Sequence, residues 1–292
     1  MLKRIITSII AVMIFIPILV FSNTWVFPIA MSFACLVACF EMMSCIGQKK
    51  NTWLMIPTCL IGLAFPIGMR YAYLMSAQHP NTFFEVIKLA MGIFFILALY
   101  IFSVAVFDHK KLPITDAGLI YASIAYIVAA FTSIVYIHDF IDYGGYIYLL
   151  VFICAWITDT FAYFTGRFFG KHKLIPEVSP KKTVEGAIGG VVFCVISAIV
   201  FAIVVENFFI GTGKANYLVL GISAVFISVV SQTGDLIMSV IKRHYGIKDY
   251  GKLFPGHGGV MDRFDSLITV AVFVYAVCVV CAGFGVSLFI AW

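Results

Sequence analysis

Between Gln232 and Asp265 the chain reads Q-T-G-D-L-I-M-S-V-I-K-R-H-Y-G-I-K-D-Y-G-K-L-F-P-G-H-G-G-V-M-D-R-F-D. On a helix, Asp235, Ser239 and Lys242 stand at i, i+4 and i+7 and share one face. Ser228, Ser231 and Gln232 continue that stripe one to two turns back, and Leu236, Ile237, Met238, Val240 and Ile241 form the opposite face. A loop dense in Lys, Gly and His follows, carrying Arg243, Lys248 and His257-Gly258-Gly259, and closes on Asp262-Arg263-Phe264-Asp265. A carboxylate beside a hydroxyl, cations, a glycine loop and further carboxylates suggests a metal-dependent phosphate site at a membrane surface. Asp235 and Asp262 come from different elements. Such a pair suits Mg²⁺, which takes hard oxygen ligands, keeps waters and is completed by substrate phosphates. Three glycines in the four residues Gly256 to Gly259 permit close backbone approach to a ligand. His257 could carry a proton or donate to a phosphate; a turn with an interfacial histidine is the plainer alternative. Asp262 and Asp265 could equally be helix caps.

A second constellation lies upstream. Asp159, Tyr163, Gly166 and Gly170 fall on one face of an apolar run. An ionised Asp at mid-membrane costs roughly 2.5–3.5 kcal/mol on insertion scales, so it persists where partners or water meet it. A ligand or active-site role for Asp159 competes with a structural pairing to a Lys or a hydroxyl. The glycines read as close helix packing. The loop that follows holds Arg167, Lys171, His172, Lys173 and then Ser179-Pro180-Lys181-Lys182-Thr183-Val184-Glu185-Gly186. Cations and free N–H groups at a helix entrance suit phosphates. Anionic lipid binding is the alternative, and Thr183 and Glu185 are plausible first-turn residues.

The elements that must position these residues are membrane helices. Of 292 residues, 63% are hydrophobic and 11% charged, and the mean hydropathy is +1.07. A soluble globular chain is about a quarter charged. Long continuous apolar runs recur throughout, and backbone in lipid must satisfy itself, so the expected class is an all-α polytopic membrane protein. Nine spans are expected near 5–21, 25–40, 53–69, 86–107, 117–137, 146–165, 187–205, 218–241 and 267–291. The first is read as uncleaved, since no A-x-A-like site follows it. Trp25, Trp53 and Trp292 fall at span ends, where amphipathic rings favour the interface. Pro17, Pro57 and Pro66 are expected to kink their helices.

Sixteen of the nineteen Lys and Arg residues fall at the N-terminus or in loops after the even-numbered spans; Arg70, Lys88 and Lys214 fall on the other side. The positive-inside rule then places the N-terminus in the cytoplasm and the C-terminus outside. Residues 1–145 read as a scaffold of about five helices whose chemistry is silent. Residues 146–292 read as a catalytic region of about four helices with cytoplasmic loops 166–186 and 242–266. The eight cysteines are scattered through apolar runs and read as packing residues, including Cys278 and Cys281 despite their metal-like spacing. No H-E-x-x-H, G-x-S-x-G or Walker pattern occurs, which disfavours zinc protease, esterase and P-loop chemistry.

The run Ser239-x2-Lys242-Arg243-x4-Lys248-Asp249-x-Gly251-x2-Phe254-Pro255-x-His257-Gly258-Gly259-x2-Asp262-Arg263-x-Asp265 resembles the signature of the phosphatidate cytidylyltransferases, with no departure from it. Asp159-Thr-x-Ala-Tyr163 with Gly166, and Ser179-Pro180-Lys181-Lys182-Thr183-x-Glu185-Gly186, look like the same family. The resemblance covers about residues 150–292. It implies conversion of CTP and phosphatidate to CDP-diacylglycerol and pyrophosphate, dependent on Mg²⁺, with one or two cations. It places the enzyme at the cytoplasmic face of a bacterial inner membrane, as a homodimer among membrane lipids. It implies Asp235 and Asp262 as metal ligands, with Ser239 and Lys242 at the phosphates, and it makes Lys181 and Lys182 motif residues. Their contact with the nucleotide is our own expectation, as is that of Arg243, Lys248, Gly258, Gly259 and Arg263. Asp159 and His257 complete the candidate site, and no nucleic-acid partner is expected. The polar face of the eighth span is expected to line an opening to lipid. Two rivals stand beside this reading: a CTP-dependent enzyme acting on another lipid, and an ion-coupled transporter using Asp159 and Asp235.

Overall fold

The computed structural model describes residues 2–79, 81–211 and 215–285, with side chains from Ile6 onward. Lys214, Trp292 and the end of the last expected span lie outside the described residues, as do the side chains of Lys3 and Arg4. Nine α-helices are present among the described residues: α1 Leu2–Val20, α2 Val26–Cys45, α3 Thr52–Ser76, α4 Thr82–Phe107, α5 Ile114–Phe140, α6 Gly144–Phe169, α7 Val184–Val205, α8 Tyr217–His244 and α9 Met261–Gly283. Eight of them, α2 to α9, are long and apolar enough to cross a membrane. Two short antiparallel strands, β1 Lys173–Ile175 and β2 Ser179–Thr183, precede α7. A π-helical turn at Glu206–Ile210 ends it.

Side-chain caps mark several starts. Asn51, Thr183 and Asn216 accept from the backbone N–H of Leu54, Gly186 and Val219, so each satisfies a donor the first turn leaves over. The helices run past the apolar runs that announce them. The most consequential difference is in α9, which begins at Met261 and not near Leu267. Its first turns carry Asp262, Arg263, Asp265 and Ser266, whose polarity hides a helix from any hydropathy pattern. Similarly, α2 continues past Phe40 to Cys45 and so takes in Glu41.

Pro57 lies inside α3. It has no N–H, so the carbonyl of Trp53, four residues earlier, loses its helical donor. The Tyr100 hydroxyl of α4 donates to that carbonyl at 2.7 Å.

The chain divides into two compact units, Met1–Asp139 with Ile247–Arg263, and Phe140–Gly246 with Phe264–Trp292. In the first unit a buried charge network ties three elements together. Arg70 of α3 donates to Asp139 Oδ1 and to the Asn23 carbonyl, both at 2.5 Å, and His138 Nδ1 lies 2.7 Å from the same Asp139 oxygen. In the second unit α6 and α7 approach closely. A Cβ on Gly186 would stand 2.6 Å from the Ala162 carbonyl, and one on Gly166 2.7 Å from Thr183 Oγ1. The glycines thus serve the packing their spacing suggested. The upper stripe of α8 is enclosed too: Ser228 and Ser231 are fully buried. Thr158 donates to Ser228 Oγ at 3.1 Å, and the Gln232 amide donates to the Ala187 carbonyl at 3.2 Å. This part of the polar face therefore joins helices, while Asp235 and Ser239 further along it remain half-buried.

Candidate functional site

In the second unit, α8 presents Asp235, Ser239 and Lys242 along one face, as their spacing requires. Asp235 pairs with Lys182, which β2 carries: Nζ to Oδ2 is 2.5 Å, with both side chains about a quarter exposed. Lys182 also reaches the Gln232 carbonyl at 3.4 Å. Lys242 is buried, with its ammonium 3.8 Å from Asp265 Oδ2. Asp265 is within electrostatic range of Asp235, Lys242 and Asp159, and its Oδ1 accepts from the Ser266 N–H at 3.0 Å. Ser266 turns its hydroxyl to Asp159 Oδ2 at 2.7 Å. Three carboxylates, Asp159, Asp235 and Asp265, therefore stand with two ammoniums.

Other expected residues of this unit lie around that cluster. Ser239 is half-buried, while Lys181 and Arg243 are exposed. Arg167 donates to the Tyr163 hydroxyl at 3.1 Å. Glu185 accepts from the Lys171 N–H at 3.0 Å and lies 2.6 Å from His172 Nδ1. It fastens the entry to the strand pair that carries Lys182, beyond any role in starting α7.

In the first unit, the segment before α9 folds into a tight turn. The Phe254 N–H donates to the Gly258 carbonyl and the His257 N–H to the Phe254 carbonyl, both at 2.8 Å. Gly258 has φ +87°, a left-handed conformation that a side chain would strain. Around this turn lies an open cavity of about 680 Å³, lined in part by Lys248, Lys252, His257, Gly258 and Arg263. Helix α1 supports it: Thr7 donates to the Pro255 carbonyl at 3.1 Å, and Ser8 Oγ is 3.3 Å from His257 Nε2. Gly259 is buried beneath the turn. Asp262 is buried as well, and its Oδ2 accepts from the N–H groups of Tyr250 at 2.8 Å and Gly259 at 2.9 Å. It fastens the loop that precedes its own helix.

Three residues enter beyond the expected catalytic, binding and metal set. Asp265, equally readable as a cap, stands with the second unit's charges. Ser266 orients Asp159. Glu41 of α2, in the half read as chemically silent, is buried and accepts from the N–H groups of Val260 and Met261. One signal was available: a lone glutamate at the end of an apolar run is itself a marker. Among the described residues, no three of His, Cys, Asp and Glu stand close enough to hold a metal by themselves.

Among the described residues, eight long apolar helices, with carboxylates and cations gathered at the ends of α8 and α9, define a polytopic membrane protein. The chain belongs to the cytidylyltransferase family, whose sequence model matches residues 2–281. It is 34% identical over 278 residues to the phosphatidate cytidylyltransferase of Bacillus subtilis (strain 168), covering 94% of this chain and 96% of that one. It is likewise 34% identical over 267 residues to the phosphatidate cytidylyltransferase of Staphylococcus epidermidis (strain ATCC 12228), and 33% identical to that of Staphylococcus aureus (strain COL). Each of these covers 91% of this chain and 95% of the relative.

Proposed function

We infer that this chain is an integral membrane nucleotidyltransferase that makes CDP-diacylglycerol and pyrophosphate from CTP and phosphatidate. The observation that carries this is similarity to phosphatidate cytidylyltransferases over 94% of the chain, first half included. In the reaction an oxygen of the lipid phosphate attacks the α-phosphorus of CTP. The bond from that phosphorus to the bridging oxygen breaks, and pyrophosphate leaves with the electron pair. Phosphatidate is already ionised near neutral pH, so no strong base is required. Positioning and charge neutralisation are the main demands.

The residues divide these tasks. Asp159, Asp235 and Asp265 fit a divalent cation by their chemistry, since all three offer hard oxygens and Mg²⁺ uses only one or two carboxylates beside phosphates. Asp235 and Asp262 are the proposed ligands for one or two such ions. When bound, Mg²⁺ supplies neutralisation of phosphate charge. Ser239 and Lys242 serve the phosphates. Lys181, Lys182, Arg243, Lys248 and Arg263 hold the triphosphate, with the backbone of Gly258 and Gly259 allowing close approach. His257 is better suited to donate to a phosphate than to act as a base. Its Nδ1 is buried without a hydrogen-bond partner among the described residues.

The same reading places the enzyme in a bacterial inner membrane as a homodimer, with the N-terminus and the basic loops in the cytoplasm, where CTP is. The distribution of Lys and Arg supports this orientation. A cysteine at Lys181, in a background without native cysteines, should resist an impermeant thiol reagent added to intact cells; ready labelling would reverse the topology. The function is tested with purified protein, CTP and Mg²⁺, offering phosphatidate or an isoprenoid alcohol. Pyrophosphate and CDP-lipid should form with phosphatidate. Turnover with the alcohol alone would identify a different acceptor, and ion transport without CTP turnover would overturn the reading.

A further inference from the structure

Glu41 lies in α2 and is only 4% exposed. A buried carboxylate on an apolar helix is costly unless its charge is met. Here each oxygen has its own backbone donor. Oε1 accepts from Val260 at 3.0 Å and Oε2 from Met261 at 2.8 Å. Those N–H groups stand at the start of α9, where a helix leaves donors unsatisfied and carries partial positive charge. Glu41 thus caps α9 from another helix, 220 residues away in sequence.

The cap also seats the loop. A Cβ at Gly251 or at Gly259 would overlap the Glu41 carboxylate, so both backbone segments rest directly on it. Asp262 Oδ2 meanwhile takes the N–H groups of Tyr250 and Gly259. Two carboxylates therefore fix four amides of this segment, and only one of the two belongs to the segment itself. Between the fixed points the chain presents Lys252 and His257 to the cavity, and just outside them Lys248 and Arg263.

We propose that Glu41 is a positioning residue for nucleotidyl transfer: by capping α9 and seating Gly251 and Gly259, it holds the cavity's cations in the geometry that receives phosphate. This rests on the function inferred above. A glutamate kept only for packing would be replaceable by its amide. Glutamine has the same shape but offers one accepting oxygen, and its NH₂ would face a second N–H donor.

The test uses the full-length protein in detergent. In Glu41→Gln, turnover of CTP with phosphatidate should fall about 30-fold, in the range lost when a supporting contact to a site is removed. Hydrogen exchange in peptides covering residues 251–261 should rise about tenfold while α5 and α6 keep their wild-type protection. If Glu41→Gln fails to accumulate, Glu41→Asp, which keeps both oxygens but withdraws them, serves with the same readouts. Gly259→Ala should be impaired alone and partly rescued in the Glu41→Asp background, because the shortened side chain vacates the space the methyl needs. Unchanged exchange in 251–261, or exchange that rises evenly across all helices, would overturn the proposal whatever the activity. So would wild-type turnover in Glu41→Gln. Should the wild-type protein itself turn over no CTP with phosphatidate, the inferred function fails, and the proposed role in transfer fails with it. The exchange data would still report separately whether Glu41 holds the loop.

Discussion

In the first unit, Glu41 and Asp262 meet four backbone N–H groups. In the second, Asp159, Asp235 and Asp265 meet a serine hydroxyl, two ammoniums and one another. The difference lies in what a ligand can displace. A backbone N–H at a helix start or loop moves only with the main chain, so a carboxylate bound to it is committed to shape. An ammonium on a four-carbon stem can swing to a phosphate and release its carboxylate to a cation. The first arrangement builds a fixed cavity; the second holds charge in reserve for substrate.

That contrast is sharpest at Asp235. Asp235→Asn should lower turnover by about 10³-fold, roughly 4 kcal/mol of transition-state stabilisation, with membrane levels near wild type. Substantial Mg²⁺-dependent activity in that variant would remove Asp235 from the metal. Lys182→Ala and Lys242→Ala come next, each expected to cost about 100-fold, mainly in kcat, if the ammoniums follow the charge that develops on pyrophosphate. Normal CTP kinetics with only an altered phosphatidate dependence would move both lysines to the lipid.

Asp262→Asn tests the comparison from the other side. Its amide oxygen can still accept from Tyr250 and Gly259, so any loss beyond the loop's needs reports on charge. A loss of about 30-fold is expected, with loop exchange little changed. Wild-type activity would leave Asp262 as a loop clamp alone. The smallest effect belongs to the exposed cavity cations. Lys248→Ala and Lys252→Ala should each raise the CTP KM about threefold at low salt and less at high salt, as exposed charges do. Salt-independent losses would place these lysines in buried contact with the nucleotide.

Much of this is legible in the amino-acid sequence. Continuous apolar runs could only be helices in lipid, and the Asp235 to Asp265 pattern marked the polar chemistry of α8 and α9. The failures share a cause: apolar runs locate the middle of a helix and say little about its ends. Ending the second span at Phe40 leaves Glu41 outside it by one residue. Starting the last span near Leu267 leaves Asp262, Asp265 and Ser266 in a loop, when they project from a regular helix with fixed spacing. The contact of Glu41 with Val260 and Met261 joins positions with no sequence relation at all, and only the folded backbone reveals it. Nor does any pattern tell a carboxylate that will meet amides from one that will meet lysines.

The proline in α3 bears on how such a chain assembles in a bilayer. On its own, α3 would leave the Trp53 carbonyl, at the interfacial end of the span, to headgroups and water. A protein donor arrives with Tyr100, on the next helix to be synthesised. Pairing of α3 with α4 therefore exchanges a solvent contact for a fixed one, and the proline's defect marks where the two helices register against each other.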